Sequence, residues 1–263
     1  RKPSENAKRN SLDSFHHESR LIRIVMIIAA VLHFSRREVA ATRLPCRCQT
    51  LLTKNGGFVP RLMVGLNNNF TIGMSFGIQN FIGEDKLEKN KDTPEIYLKY
   101  RVYEETDTMP ALAIGMNTQG RGQYIESKDR YEEKAIGIYI VLSRNWNLLG
   151  NLGFHIGINK NTFEKPDLDT NLFFGFDKEI NKSFSLLAEY NFSRNDDGET
   201  NTEEIFIRDN KGYLNAGLRW SATENLMLEI NVNDILENNT YQIDDDVFTS
   251  NNREIKIMYY EQF

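Results

Sequence analysis

The stretch Asn151-Leu-Gly-Phe-His-Ile-Gly-Ile-Asn159 decides the fold. Large apolar residues occupy every second position in it, and Gly, His and Asn fill the positions between them. Side chains of a β-strand point alternately to the two faces of a sheet, so the stretch predicts a strand with one apolar face and one small, polar face. Its nine residues are about enough for a tilted strand to cross the hydrocarbon core of a bilayer.

The same alternation recurs from Phe58 to the end of the 263-residue chain and predicts eleven clear strands. Short polar links such as 67–69 and 145–147 alternate with long polar links such as 80–93 and 193–212. Short turns on one side and long loops on the other are typical of outer-membrane barrels. We therefore predict an all-β fold, an antiparallel up-and-down transmembrane β-barrel with short periplasmic turns and long extracellular loops. A secreted soluble barrel or sandwich is the alternative.

An even number of strands requires one strand more than the eleven that alternate clearly. A single-chain bacterial barrel has an even number of strands, so a twelfth is expected before the first clear one. The stretch 46–54 offers only a weak alternation next to Pro45 and Arg47. We predict about twelve strands on this basis; the alternative is that the head of the chain does not begin the barrel.

The head of the chain differs in charge from the rest. Residues 1–54 hold 11 Lys and Arg against 4 Asp and Glu, although the whole chain has a net charge of -5. Within them, the apolar run 24–34 follows Arg20 and Arg23 and has the length of a signal-peptide core. We predict that residues 1–54 lie outside the barrel except for the weak strand, and that residues 55–263 form it. An amphipathic surface helix is the alternative for the run. The acidic barrel argues against nucleic acid as a partner.

The polar face supplies the candidate site, because a charged side chain inside a membrane barrel needs a partner or water. These predicted lumen residues are Glu95, Lys99, Arg101, His155, Asp177, Glu189, Arg219, Glu229 and Lys256. Opposite charges on neighbouring strands can pair across a narrow lumen. A structural ion-pair network and a polar channel lining for a small solute or glycan both remain open, and the mixed signs argue against strong ion selectivity.

Catalysis and cofactors are not expected. His155 is the one histidine between residues 55 and 263, so a Ser–His–acid hydrolase would have to use it, and no G-x-S-x-G motif accompanies it. Cys46 and Cys48 form a C-x-C pair without a second pair, which argues against a zinc site. We predict no enzyme, no metal and no cofactor; a hydrolase that uses His155 is the third hypothesis, after the two classes of barrel.

Several stretches resemble the small barrels grouped as YjbH-domain proteins, outer-membrane proteins of Gram-negative bacteria. They are Asn55-Gly-Gly57 with Val64-Gly-Leu66, Lys99-Tyr-Arg101 with Glu104-Glu105, Pro110-Ala-Leu-Ala-Ile-Gly-Met-Asn-Thr-Gln-Gly120, Leu149-Gly-Asn-Leu-Gly-Phe-His155 and Gly212-Tyr-Leu-Asn-Ala-Gly-Leu-Arg-Trp220. The resemblance covers about residues 55–263. It implies a place in the bacterial outer membrane and a role in exopolysaccharide export or at the cell envelope, with polysaccharide as a partner.

The last strand is similar to those of outer-membrane barrels, which commonly end on an aromatic residue that the assembly machinery reads. Tyr259 and Phe263 fit this assembly signal, whereas Glu261 departs from it. The similarity implies two partners, the outer-membrane lipid and the barrel-assembly machinery. The predicted function is a channel for a polar solute or glycan, or a component of exopolysaccharide export. A non-conducting structural or adhesive barrel that acts through its loops is the alternative.

Overall fold

The structure, a computed structural model, describes residues 45–83, 86–126, 129–164, 168–196, 206–208, 211–243, 246–249 and 252–262. Twelve of the strands in these ranges form one antiparallel sheet that closes on itself. In chain order they are β1 (Pro45–Thr53), β2 (Gly57–Gly65), β3 (Phe70–Ser75), β4 (Glu95–Tyr103), β5 (Ala111–Asn117), β6 (Gly137–Asn147), β7 (Asn151–Lys160), β8 (Asn171–Glu179), β9 (Phe184–Asn191), β10 (Tyr213–Ser221), β11 (Leu226–Asn233) and β12 (Asn252–Gln262). Within the described ranges, no helix has the length and apolar character needed to span a bilayer.

Strand β1 closes the barrel, because it pairs with β2 on one edge and with β12 on the other. Cys48 lies opposite Leu62 in one ladder and opposite Tyr259 in the other. Pro45 occupies the first position of the strand, where a missing N–H is best tolerated. Pairing on both edges thus compensates for the weak alternation of this stretch. The predicted twelve-stranded antiparallel barrel is confirmed.

The connections alternate in length from β2 onward, whereas the link 54–56 between β1 and β2 is short although it lies at the long-loop end. The short ones are 66–69, 104–110, 148–150, 180–183 and 222–225, and the long ones are 76–94, 118–136, 161–170, 192–212 and 234–251. Asparagine builds two of the short turns: Asn67 Oδ1 accepts hydrogen bonds from the N–H groups of Asn69 and Phe70, each at 2.8 Å. Asn181 repeats this turn between β8 and β9. An Asn side chain stabilises a tight turn in this way because it replaces a backbone acceptor.

The two faces of the sheet are distributed as a membrane barrel requires. Ile138, Phe154 and Leu186 point outward and are 51%, 47% and 47% exposed. In the interior, Glu229 and Asn231 are buried. The large apolar side chains therefore face away from the barrel axis and the polar ones face the axis, which is the reverse of a soluble barrel.

Outward-facing aromatic side chains cluster near both ends of the strands. At the short-turn end, Trp146 packs edge-on against Phe154, with ring centroids 5.4 Å apart. At the long-loop end, Tyr190 packs edge-on against Phe192 at 4.9 Å. Two such groups at the two ends of an apolar belt match the girdles at membrane interfaces. Together with the even number of strands, they place the chain in the bacterial outer membrane, with the short turns on the periplasmic side.

The two ends of the predicted sequence pattern fall partly outside the described residues. The signal-like run 24–34 and the terminal Phe263 lie there, so the division of the chain at residue 54 and the assembly signal stay predictions.

Candidate functional site: the barrel lumen

A central cavity of about 550 Å³ occupies the middle of the lumen. Seven of the nine predicted lumen residues border it: Lys99, His155, Asp177, Glu189, Arg219, Glu229 and Lys256. Small residues such as Gly175 and Gly217 share the lining. The other two predicted residues lie at opposite ends of the barrel, with Glu95 towards the long loops and Arg101 towards the short turns.

Glu229 joins two cations across three neighbouring strands. Its Oε2 lies 2.9 Å from Arg219 on β10, and its Oε1 lies 2.7 Å from Lys256 on β12. The register places Glu229 directly opposite both residues, so the three side chains form one row along the hydrogen-bonding direction. Asn231 donates a further hydrogen bond to Oε1 at 2.9 Å. This row fixes the polar side chains of one wall of the cavity.

His155 forms a hydrogen-bonded chain on the wall made by β6, β7 and β8. Its Nε2 lies 2.9 Å from Asp177 Oδ1, and its Nδ1 lies 2.9 Å from Ser143 Oγ. A carboxylate only accepts, so Nε2 carries a proton, and in the neutral ring Nδ1 accepts the Ser143 hydroxyl proton. The residue types are those of a hydrolase triad. However, β6, β7 and β8 are each paired on both edges along this stretch, so their backbone N–H groups are engaged and not presented to an oxyanion.

The long connection between β5 and β6 folds into the lumen. We call residues 118–136 the inner hairpin, because Arg121–Ile125 pairs with Arg130–Glu133 within it. Arg121 borders the central cavity, and its guanidinium lies 3.6 Å from Glu189 on β9, three strands away from β6. The inner hairpin therefore reaches across part of the barrel and narrows it.

The wall of the barrel holds the inner hairpin through Glu95. The Tyr131 ring is fully buried, and its hydroxyl donates a hydrogen bond to Glu95 Oε1 at 3.0 Å. Lys91 lies 3.0 Å from the same oxygen, and Thr118 donates a hydrogen bond to the other one. Glu95 thus faces the lumen, and its contacts are with the hairpin and its surroundings.

Two other long loops, those that follow β7 and β9, hold the inner hairpin in place. Glu164 accepts the backbone N–H groups of Tyr131 and Ala135, both at 2.7 Å. Arg130 binds both carboxylate oxygens of Asp196, at 2.6 and 2.9 Å, in the paired geometry that makes Arg–carboxylate contacts strong. These contacts join the loops that follow β5, β7 and β9 into one assembly over the lumen.

Burial changes the acidity of two carboxyl groups in this assembly. Burial raises the pKa of Glu133 to about 7, while the nearby Arg121 guanidinium, 2.9 Å away, acts in the opposite direction. Burial also raises the pKa of Glu164, against the hydrogen bonds that Glu164 accepts. Glu133 is thus a titratable group near neutral pH inside the inner hairpin.

The sequence analysis missed the inner hairpin and its contacts. The sequence predicts only polar loops for the connections that hold Arg121, Arg130, Tyr131, Glu133 and Glu164. One signal was present in Gly120-Arg-Gly122: a Cβ at Gly120 would lie 2.5 Å from the Tyr131 ring, and one at Gly122 would lie 2.2 Å from Glu132. The two glycines let the second strand of the hairpin pack closely onto the first.

Three cavities follow one another along the lumen. An upper cavity of about 210 Å³ lies beneath the loops, and a lower cavity of about 290 Å³ lies at the short-turn end. Arg121 and Glu189 border both the upper and the central cavity. Lys99 borders both the central and the lower cavity. The path through the barrel is therefore bordered at its two junctions by charged side chains.

The remaining predicted residues lie at the short-turn end. Arg101 borders the lower cavity, donates to the Asn68 carbonyl at 2.7 Å and forms an ion pair with Glu104 at 2.7 Å. Tyr259 lies on the outward face of β12, and its hydroxyl donates to Glu261, the residue that departs from the assembly pattern.

In the part of the chain that the structure describes, no three His, Cys, Asp or Glu side chains come together as metal ligands.

Comparison with solved structures finds distant outer-membrane barrels. The NanC porin is 13% identical and aligns over 81% of this chain and 98% of its own, with a TM-score of 0.44. The KdgM porin in complex with disordered oligogalacturonate is 10% identical over 82% and 98%, with a TM-score of 0.45. An outer membrane channel from Pseudomonas putida F1 is 10% identical over 86% and 97%, with a TM-score of 0.38. No family model matches the chain. A search of curated proteins also finds no match.

Proposed function

We propose that the barrel is an outer-membrane channel for small polar solutes, with the inner hairpin as its constriction. The observation that carries this proposal is the series of three polar cavities from the loop end of the lumen to the short-turn end. A structural plug has no need of such space, because ion pairs that only hold a barrel together pack most tightly without it. The central cavity of about 550 Å³ has the size of a small-molecule pocket, roughly 300–1,000 Å³.

Exopolysaccharide export is the narrower form of this proposal. It is supported by the resemblance of residues 55–263 to YjbH-domain proteins, and it would make polysaccharide a partner. The barrel-assembly machinery would be a second partner, through Tyr259 and Phe263, after delivery by the signal-like run 24–34. The inner hairpin favours a short solute over a polymer, because it narrows the lumen: its Arg121 lies 3.6 Å from Glu189 on β9, four strands from β5.

A non-conducting barrel is the second candidate, and the contacts of the inner hairpin favour it. Arg130 and Tyr131 hold the hairpin to two different parts of the molecule. A hairpin that never leaves its place would close the lumen, and the barrel would then act through its loops.

For the hydrolase hypothesis, the engaged backbone around Ser143 and His155 offers no oxyanion donors, so we propose that the barrel is not an enzyme.

Planar-bilayer conductance tests the channel. The wild-type protein should give discrete single-channel currents, and Arg130→Gln, which loses the paired contact with Asp196, should give larger or more frequently fluctuating ones. The matched control is Arg194→Gln, an exposed arginine two residues from Asp196, which should behave as wild type. Folding of each variant is checked by heat-modifiable gel mobility. Folded wild-type protein and folded Arg130→Gln that both pass no current would contradict the channel and support the non-conducting barrel.

A further inference from the structure

The balance of charge changes along the lumen. Upper-cavity side chains comprise two cations and three carboxylates: Arg121 and Lys134 against Glu133, Glu189 and Asp196. Around the central cavity, four cations meet three carboxylates: Lys99, Arg121, Arg219 and Lys256 against Asp177, Glu189 and Glu229. At the lower cavity, three cations meet a single carboxylate: Arg47, Lys99 and Arg101 against Glu261. The lining of the lower cavity thus has the largest excess of cations of the three, and one of these cations, Arg101, is paired with Glu104 outside the lining.

Two of the three cations of the lower cavity, Lys99 and Arg47, have no carboxylate partner among the residues that the structure describes. Lys99 forms no ion pair with any residue that the structure describes. The Arg47 guanidinium lies over the Tyr260 ring, 4.4 Å from its centroid, so its partner is a neutral aromatic face. Arg101, in contrast, forms an ion pair with Glu104.

The one carboxylate of the lower cavity is engaged elsewhere. Glu261 accepts the hydroxyl of Tyr259, and Tyr259 belongs to the outward-facing set of β12, opposite Leu226 and Cys48. Neutral hydrogen-bonding groups complete the lining, among them Asn69, Thr71 and Tyr97. The lower cavity therefore combines three cationic groups with hydroxyl and amide groups, which is a suitable environment for an oxyanion that also carries hydroxyl groups.

We infer that the lower cavity binds small oxyanions, carboxylate or phosphate, and that Lys99 and Arg47 determine this preference. The inference rests on the proposed function in one respect, since it names the solute class that such a channel would favour. It also differs from the expectation of weak ion selectivity, which rests on the mixed signs of all nine predicted lumen residues. Arg47 was not among the predicted lumen residues because it lies in the weak strand, where it points inward opposite Met63 and Tyr260.

Binding is tested first, without reference to conductance. Inorganic phosphate is titrated calorimetrically into the folded full-length protein in detergent at low ionic strength, since salt screens such contacts. Wild-type protein should bind phosphate, and Lys99→Gln and Arg47→Gln should each weaken the binding at least about twofold, the Coulombic effect of one charge at roughly 8 Å in a water-like medium. The matched control is Lys89→Gln, an exposed lysine of the loop that follows β3, which should bind as wild type. Equal binding by all four proteins, or by none, would overturn the oxyanion site.

Conductance measurements then test the oxyanion site and the channel function independently of each other. Under a KCl gradient the reversal potential of wild-type protein should indicate a preference for chloride, and Lys99→Gln should reduce the permeability ratio of chloride to potassium about twofold. Phosphate binding in a barrel that passes no current would overturn the channel and keep the site. Current without phosphate binding, and with a reversal potential that Lys99→Gln leaves unchanged, would overturn the site and keep the channel.

Discussion

Single residues in this lumen are stabilised by the charges that face them across the strands. Glu229 is buried, and the side chains of its two partners, Arg219 and Lys256, are only about a third and a fifth exposed. A carboxylate in such a place is stable because two cations and an amide surround it. The same arrangement means that the two cations depend on Glu229. The position of a charged residue in the strand ladder therefore determines its stability, because the position decides which charges lie opposite it.

Glu229→Gln should lower the free energy of unfolding by about 1–3 kcal/mol, because it removes the anion that Arg219 and Lys256 share and leaves Lys256 only the more distant Glu254, 3.6 Å away. The measurement is urea unfolding of the protein refolded in lipid vesicles, followed by tryptophan fluorescence. Glu224→Gln, the same change on an exposed short turn, is the control and should cost almost nothing. Equal unfolding free energies for the two variants would contradict the role of Glu229. The double variant Glu229→Gln with Lys256→Gln should regain part of the loss.

The inner hairpin is the element that turns a simple barrel into a constricted one. It is fixed by side chains that are far apart in the sequence: Arg130 and Asp196 are separated by 66 residues. Strand alternation is a local property, so eleven of the strands and their two faces were predictable from period-two patterns, whereas the weak first strand followed only from the even number of strands that a closed barrel needs. The position of a polar loop depends on long-range ion pairs and on packing such as that of Tyr131 against Gly120, which no local pattern reports.

Packing of the inner hairpin should depend on pH through Glu133. The packed hairpin raises the pKa of this carboxyl from 4.5 to about 7, so the packed state binds a proton more tightly than the unpacked one. Its extra stability is fully present below about pH 4.5 and is lost as the pH rises through 7. Current fluctuations caused by the hairpin should therefore be rarer at pH 5.5 than at pH 8.5.

Glu133→Gln provides the control for this pH dependence, because a neutral amide replaces the protonated carboxyl. The variant should behave at every pH as the wild-type protein does at low pH. If its current fluctuations vary with pH as much as those of the wild type, another group is responsible and the assignment to Glu133 is wrong.

The whole molecule places its apolar side chains on the outside and its charges within. The same face of each strand is turned outward around the barrel, and the sequence shows this as large apolar residues that alternate with small, polar or charged ones in most strands. The candidate site was predictable only in part. Seven of its nine predicted residues border the central cavity, because alternation places them there. The positions of Arg47 and Arg121 in the lumen are evident only from the closed barrel and the folded loop.

The outward orientation of the apolar face is tested most directly by its tryptophans. The chain has two, Trp146 and Trp220, which are 47% and 43% exposed and lie near the short-turn ends of β6 and β10. The folded protein is reconstituted into vesicles whose lipids carry bromine on the acyl chains. We predict strong quenching, greater for bromine near the headgroups than for bromine near the chain ends, because both rings lie at a membrane interface. Tryptophan emission that brominated lipids leave unchanged would mean that both rings are packed away from lipid, and would contradict the membrane barrel.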